Sequence, residues 1–245
     1  HDQASFERAL RSGSAKVGVL IPARLSDDLL ADRCRETMGA AGLGIGGAGE
    51  AYIRILLTRG VGELSYDPAG CPTPTLIVIV KPHVAPPPRI YEHGVTVILV
   101  ATIRNHPGTV NPLIKSNNLL NNALAMQEAA KLGGFEGVMR NYRGELAECT
   151  QSNLFIVVKG EALTPPVDAG LLPGITREFL FEIGSEIGIA VRERTLKDAD
   201  LFGADEAFLT STTREAIPIV TVNDRRIGSG TPGPVTAKLL AAFRR

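Results

Sequence analysis

Three runs of β-branched and aliphatic residues, 52–58 (YIRILLT), 75–80 (TLIVIV) and 95–100 (VTVILV), are set apart by proline-dense stretches at 68–74 and 82–88. Proline removes a backbone donor and clashes with the preceding helical turn, so these runs read as bounded strands. The rest of the chain reads differently. Helical patterns cover 3–18 and 26–40, the second with Ser26 as N-cap, Asp27 and Asp28 in its first turn and glycines at its end. After residue 115 a helical apolar stripe (Leu120, Leu124, Met126, Ala130) spans 117–132. Short strands are expected at 137–141, 154–158 and 207–210, and further helices at 176–187 and 234–243. Strands and helices alternate without a regular βαβ period, which defines an α+β or mixed α/β protein. The segment with Pro107, Gly108 and Pro112 reads as a linker. The expected division is a small N-terminal α/β domain over 1–107, a linker over 108–114 and a large C-terminal domain over 115–245.

Composition excludes several classes. Lys+Arg and Asp+Glu are equal at 26 each, which argues against a broad nucleic-acid footprint. No apolar run reaches the ~18 residues that would read as a membrane-spanning helix. Three scattered cysteines (Cys34, Cys71, Cys149) give neither a metal spacing nor a disulfide framework, and with no leader read at His1 the expectation is a cytoplasmic protein.

Two literal signals fail on context. Residues 42–47 (GLGIGG) match GxGxxG, but a helix precedes and a strand follows, the reverse of a dinucleotide site. His1, His83, His93 and His106 show no zinc spacing, so no metal is expected.

Four places could carry chemistry. Lys115, in PLIKSNNLL, lies where an extended segment gives way to a helix; alone it reads as a solvated lysine. Glu148 falls between hairpin-like strands; buried beside a cationic heterocycle it would stay ionised and hold that ring protonated. Gly174-Ile175-Thr176-Arg177 opens a helix after Pro173, and free N–H groups there suit a phosphate as well as an ordinary cap. Thr210-Ser211-Thr212-Thr213 follows a short strand and could bind phosphate or carboxylate oxygens, or form a plain hydroxyl turn.

Taken in order, IKSNNLLNNALAMQEA, RGELAECTQSNLFIV, LTPPVDAGLLPGITR, ADEAFLTSTTREAIPIV and IGSGTPGPVT resemble the class IV aminotransferases, the fold-type IV pyridoxal-phosphate enzymes. The resemblance implies the two-domain D-amino-acid aminotransferase-like fold and pyridoxal 5′-phosphate as cofactor. It places Lys115 as the cofactor-bearing and catalytic lysine, with Glu148, 33 positions on (148 − 115), paired with the pyridine nitrogen. Ile175 and Thr176 would hold the phosphate from one side, and Ser211 and Thr212 from the other. Leu172 would pack on the ring, and Arg8 stands where a phosphate-binding arginine is expected. The resemblance also implies a further stretch of small-domain strands ahead of His1, and a homodimer.

Within that family, RNHPGTVNPLIK, AECTQSNLFIV and TPP resemble branched-chain aminotransferases. The TSTTRE loop resembles the D-amino-acid group more closely, and leucine stands at 119 and 120 where many branched-chain members have tyrosine. The expectation is a transaminase moving an amino group between an amino acid and a 2-oxo acid, branched-chain-like. D-amino-acid transamination, aminodeoxychorismate elimination and a catalytically silent protein on the same fold stand as alternatives.

Overall fold

The computed structural model describes residues 26–44 and 49–245. The helix expected over 3–18, and with it Arg8, lies outside the described residues. The chain divides into two compact units between Ala85 and Pro86.

In the first unit, helix α1 (Asp27–Ala40) starts as its sequence dictates: the Ser26 hydroxyl accepts from the Leu29 N–H at 3.1 Å, with Asp27 and Asp28 in the first turn. Strands β1 (Ala51–Thr58) and β2 (Thr75–Pro82) pair antiparallel from Ala51 opposite Pro82 to Thr58 opposite Thr75.

The second unit holds the short helix α2 (Arg89–His93) and β3 (Val95–Leu99). It continues with α3 (Leu120–Lys131), β4 (Glu136–Arg140), β5 (Leu146–Cys149), β6 (Asn153–Val158) and β7 (Glu161–Thr164). Then come α4 (Ile175–Ile187), β8 (Val191–Glu193), α5 (Asp198–Phe202), β9 (Glu206–Ser211), β10 (Glu215–Val222), β11 (Arg225–Arg226) and α6 (Pro234–Phe243). Both β3 and the 108–114 segment fall in this unit, because β3 pairs parallel with β4 and β10.

The large sheet runs β5-β4-β3-β10-β9-β6-β7-β8, with β11 on β10. Strands β5 and β6 stand five places apart in that order, yet only Thr150, Gln151 and Ser152 connect them. So short a link forces the intervening strands to curl until their ends meet, as in barrel closure. The concave interior is filled by Val97, Val138, Leu154, Ile156, Leu209 and Ile217, with Leu196 and Leu201 in the same cluster. A second core lies on the other face of β6 and β9. There Phe155 stacks on Phe208 with centroids 4.9 Å apart, and Leu180, Ile183 and Leu239 cover the pair from α4 and α6.

Helix α3 settles which of its apolar residues is buried. Leu120 and Leu124 of the apolar stripe are 66% and 51% exposed, while Ala125 and Ala129 are fully buried against Ile98, Val100 and Met139. Small residues let the helix approach the sheet closely, and the larger leucines are left on its outer side.

Candidate active site: an acid, a lysine and an anion cradle

The strand pair β4–β5 puts Glu148 opposite Met139 on the α3 side of the sheet. Glu148 is not the solvated acid that its hairpin context alone suggests: it is 5% exposed. Its Oε1 accepts from Arg104 Nε at 2.6 Å and its Oε2 from the Leu172 N–H at 3.0 Å. Arg104 is itself 8% exposed, and its Nη1 donates to Asn122 Oδ1 at 3.2 Å on the first turn of α3. Burial pushes the Glu148 carboxyl up, opposed by the charge and hydrogen bond of Arg104, the Leu172 N–H and the charge of Lys115.

Lys115 is exposed on the segment that enters α3. That segment is anchored at several points. The Arg104 N–H donates to the Arg140 carbonyl at 2.8 Å, and Glu128 accepts from the N–H groups of Ala101 at 2.6 Å and Thr102 at 3.2 Å. Buried Pro112 stands beside Gly170, whose added Cβ would lie 3.6 Å from the proline Cγ. The approach to Lys115 is thereby packed against the approach to Leu172.

A continuous path joins the remaining residues. From Leu172, whose N–H serves Glu148, the carbonyl accepts from Asn153 Nδ2 at 2.8 Å. Asn153 opens β6 and pairs directly with Thr210 of β9, so their side chains share one face of the sheet. Beyond Thr210 come Ser211 and Thr212, at the start of a tight turn closed by Arg214 N–H to the Ser211 carbonyl at 3.1 Å. The structure therefore brings Glu148, Leu172, the Gly174–Thr176 turn and the Ser211–Thr212 turn into one connected set, with Lys115 exposed on the segment that Arg104 ties to Glu148.

Four observations are consistent with an anion carried on a cationic ring in this set. Gly174 caps α4 in an extended conformation (φ −74°, ψ 140°) with no side-chain acceptor, which leaves the first N–H groups of the helix to an anion. A Cβ at Gly174 would stand 2.2 Å from Asn153 Oδ1, so only glycine allows that approach. The Thr210 hydroxyl is buried with no hydrogen-bond partner among the described residues, a donor left over beside the turn. Glu148 has further acceptor capacity, since a carboxylate offers about four lone-pair sites and two are used.

Arg104, Asn153 and Asn122 were quoted in the sequence motifs without a role. Their partners lie 44, 19 and 28 positions away, so no local spacing announces them.

A curled mixed sheet with a buried acid, a lysine at the entry to a helix and a helix-start cradle fits the fold-type IV class. Comparison with known proteins makes this specific: the model of the amino-transferase class IV family matches residues 10–222, and the chain belongs to that family. A putative branched-chain-amino-acid aminotransferase of Methanocaldococcus jannaschii is 39% identical over 195 residues, covering 80% of this chain and 67% of that protein. The Escherichia coli K12 branched-chain-amino-acid aminotransferase is 33% identical over 232 residues, 94% of this chain and 73% of that one. A crystal structure of the E. coli enzyme superposes with a TM-score of 0.87 at 30% identity, over 97% of this chain and 77% of that one. The branched-chain aminotransferase from the thermophilic archaeon Thermoproteus uzoniensis with norvaline superposes with a TM-score of 0.84 at 27% identity, over 98% and 76% of the two chains.

Proposed function

We propose that this chain is a branched-chain-type transaminase that holds pyridoxal 5′-phosphate between Glu148 and the two anion-binding turns. The observation that carries this is the unbroken path from Glu148 through Leu172 and Asn153 to the uncapped start of α4 and the hydroxyl turn after β9. When bound, the cofactor supplies an electron sink for the Cα–H bond of an amino acid.

The protein's own groups do the rest. The N–H groups of Ile175 and Thr176, with the Ser211 and Thr212 hydroxyls, would hold the phosphate by donating hydrogen bonds. Leu172 would cover one face of the ring and exclude water. Glu148, whose charged form Arg104 favours against the effect of burial, would accept a hydrogen bond from the ring nitrogen and favour its protonated state. Lys115 Nζ would tether the cofactor between turnovers, and would then accept the Cα proton of the amino acid and deliver it to the cofactor's C4′ carbon.

Branched-chain specificity is supported by the branched-chain-amino-acid aminotransferase names of the relatives. The exposed leucines 120, 124 and 132 on and after α3 also support the proposal of a homodimer, since such surface is usually covered in an assembly. A cytoplasmic location completes the proposal; no helix among the described residues is long and apolar enough to cross a membrane.

The test mixes the cofactor-loaded protein with L-leucine, L-valine and D-alanine and follows conversion to the aminated cofactor. Conversion by L-leucine and L-valine is expected, with the visible cofactor band lost in Lys115→Ala or after borohydride. Conversion by D-alanine alone would replace the substrate assignment, and no cofactor band in the full-length protein would leave a catalytically silent fold.

A further inference from the structure

Glu136, the first residue of β4, has no solvent exposure, although nothing in the reaction uses it. Its oxygens accept from Thr150 Oγ1 at 3.1 Å, the Gln151 N–H at 2.8 Å and Ser152 Oγ at 2.8 Å, the three residues that link β5 to β6. The remaining partner comes from a distant part of the chain. Arg214 Nη1 donates to Glu136, while Nη2 reaches Gln151 Oε1 at 3.2 Å and the guanidinium lies 5.1 Å from the Phe135 ring centre.

Arg214 ends the hydroxyl turn that follows β9. Within that turn, one bond from its N–H to the Ser211 carbonyl closes the loop, and the next residue, Glu215, sits in the left-handed region at φ 55°. That conformation is disfavoured for a non-glycine residue, so the turn needs support from outside itself. The Tyr91 hydroxyl donates to the Arg214 carbonyl at 3.3 Å, Arg244 Nε donates to Glu215 at 2.9 Å, and Arg214 reaches the β5–β6 link.

We propose that Arg214 is a positioning residue for phosphate recognition: clamped on Glu136 and Gln151, it sets the Ser211–Thr213 turn against the link that leads into Asn153 and the α4 start. This rests on the phosphate reading of the previous section. A bidentate fork suits the role, because one side chain must hold two acceptors at once; lysine offers a single point of charge.

The test titrates the full-length protein with pyridoxal 5′-phosphate and, separately, with unphosphorylated pyridoxal, read by absorbance, in wild type, Arg214→Met and Arg214→Lys. Loss of a charge-assisted restraint is expected to weaken the phosphorylated compound about tenfold in Arg214→Met, with under about twofold change for pyridoxal. Arg214→Lys should fall between. Equal weakening of both compounds would reduce Arg214 to a general stability role and overturn the proposal, as would unchanged affinity for both. If Arg214→Met melts before it can be titrated, the ratio in Arg214→Lys decides on the same terms. Wild type that binds neither compound sinks the cofactor reading itself; wild-type binding with an unaltered ratio in the variants sinks only the clamp.

Discussion

Arg104 Nε donates to Glu148 Oε1 at 2.6 Å, and both side chains are more than nine-tenths buried. The pair spans 44 positions and ties the segment before Lys115 to the strand that carries the acid. Two charges in such a place are held by each other, since either one alone would bear the cost of leaving water.

Removing one partner should therefore do more harm than removing both. Arg104→Met is expected to destabilise the protein by about 3–5 kcal/mol in denaturant unfolding. The double variant Arg104→Met/Glu148→Leu should recover much of that loss while binding no functional cofactor. A double variant less stable than the single one would refute the account of an uncompensated buried charge.

Gly174 is a second sensitive point. A methyl group there would collide with Asn153 Oδ1 at 2.2 Å, and Asn153 also holds the Leu172 carbonyl. Gly174→Ala should displace Asn153 and the start of α4, weakening pyridoxal 5′-phosphate binding about tenfold or more, the scale of one lost charge-assisted contact. Equilibrium titration checks this; wild-type affinity would show that the cradle tolerates a side chain.

Glu128 supplies a dependence on acid. Hydrogen bonds from Ala101 and Thr102 hold its carboxyl below the usual carboxylate range, the Ala101 N–H being the largest cause. The folded protein therefore binds that proton less readily than the unfolded chain. The stabilisation is present above the ordinary carboxylate pKa and is lost as pH falls through the lower folded value. Glu128→Gln should flatten the acid limb of a stability–pH curve; an unchanged limb would remove Glu128 from the cause.

Cys149 acts at the other end of the scale. Burial, followed by the charges of Glu136 and Glu148, pushes its thiol well above the ordinary value, with Arg214 partly opposing. Unfolded cysteine ionises at about pH 8.5 and the folded thiol does not, so the unfolded state binds fewer protons and stability falls as pH rises beyond that point. Cys149→Ala should make this alkaline decline shallower, whatever its offset in stability. In the native protein a thiol reagent should modify half-exposed Cys71 before buried Cys34 and Cys149.

Much of the architecture was legible locally. The Ser26 cap, the proline-bounded strands β1, β2 and β3, and helices α3, α4 and α6 all appear within a few residues of their expected bounds. Strands β7, β8 and β11, and the long β10 (Glu215–Val222), were not anticipated. They are short or contain proline; β7, β10 and β11 close tight hairpins with the strand before them, while β8 and the other edge of β10 pair with distant strands, so the alternation they carry is weak evidence by itself. The leucine stripe of α3 marked a helix correctly but did not mark its buried face, because close approach to the sheet selects alanine.

The sequence alone determined which residue types are available and roughly which element each occupies: a lysine before a helix, an acid between short strands, a glycine at a helix start, hydroxyls after a strand. These are local matters of period, cap and turn, set by backbone sterics within a few residues. Only the tertiary structure decided that Glu148 is buried and paired with Arg104, that Asn153 joins Leu172 to Thr210, and that Arg214 reaches Glu136 across 78 positions. The reason is physical: burial and long-range pairing follow from the curl that a three-residue link imposes on the sheet, and no periodicity in the chain encodes that closure.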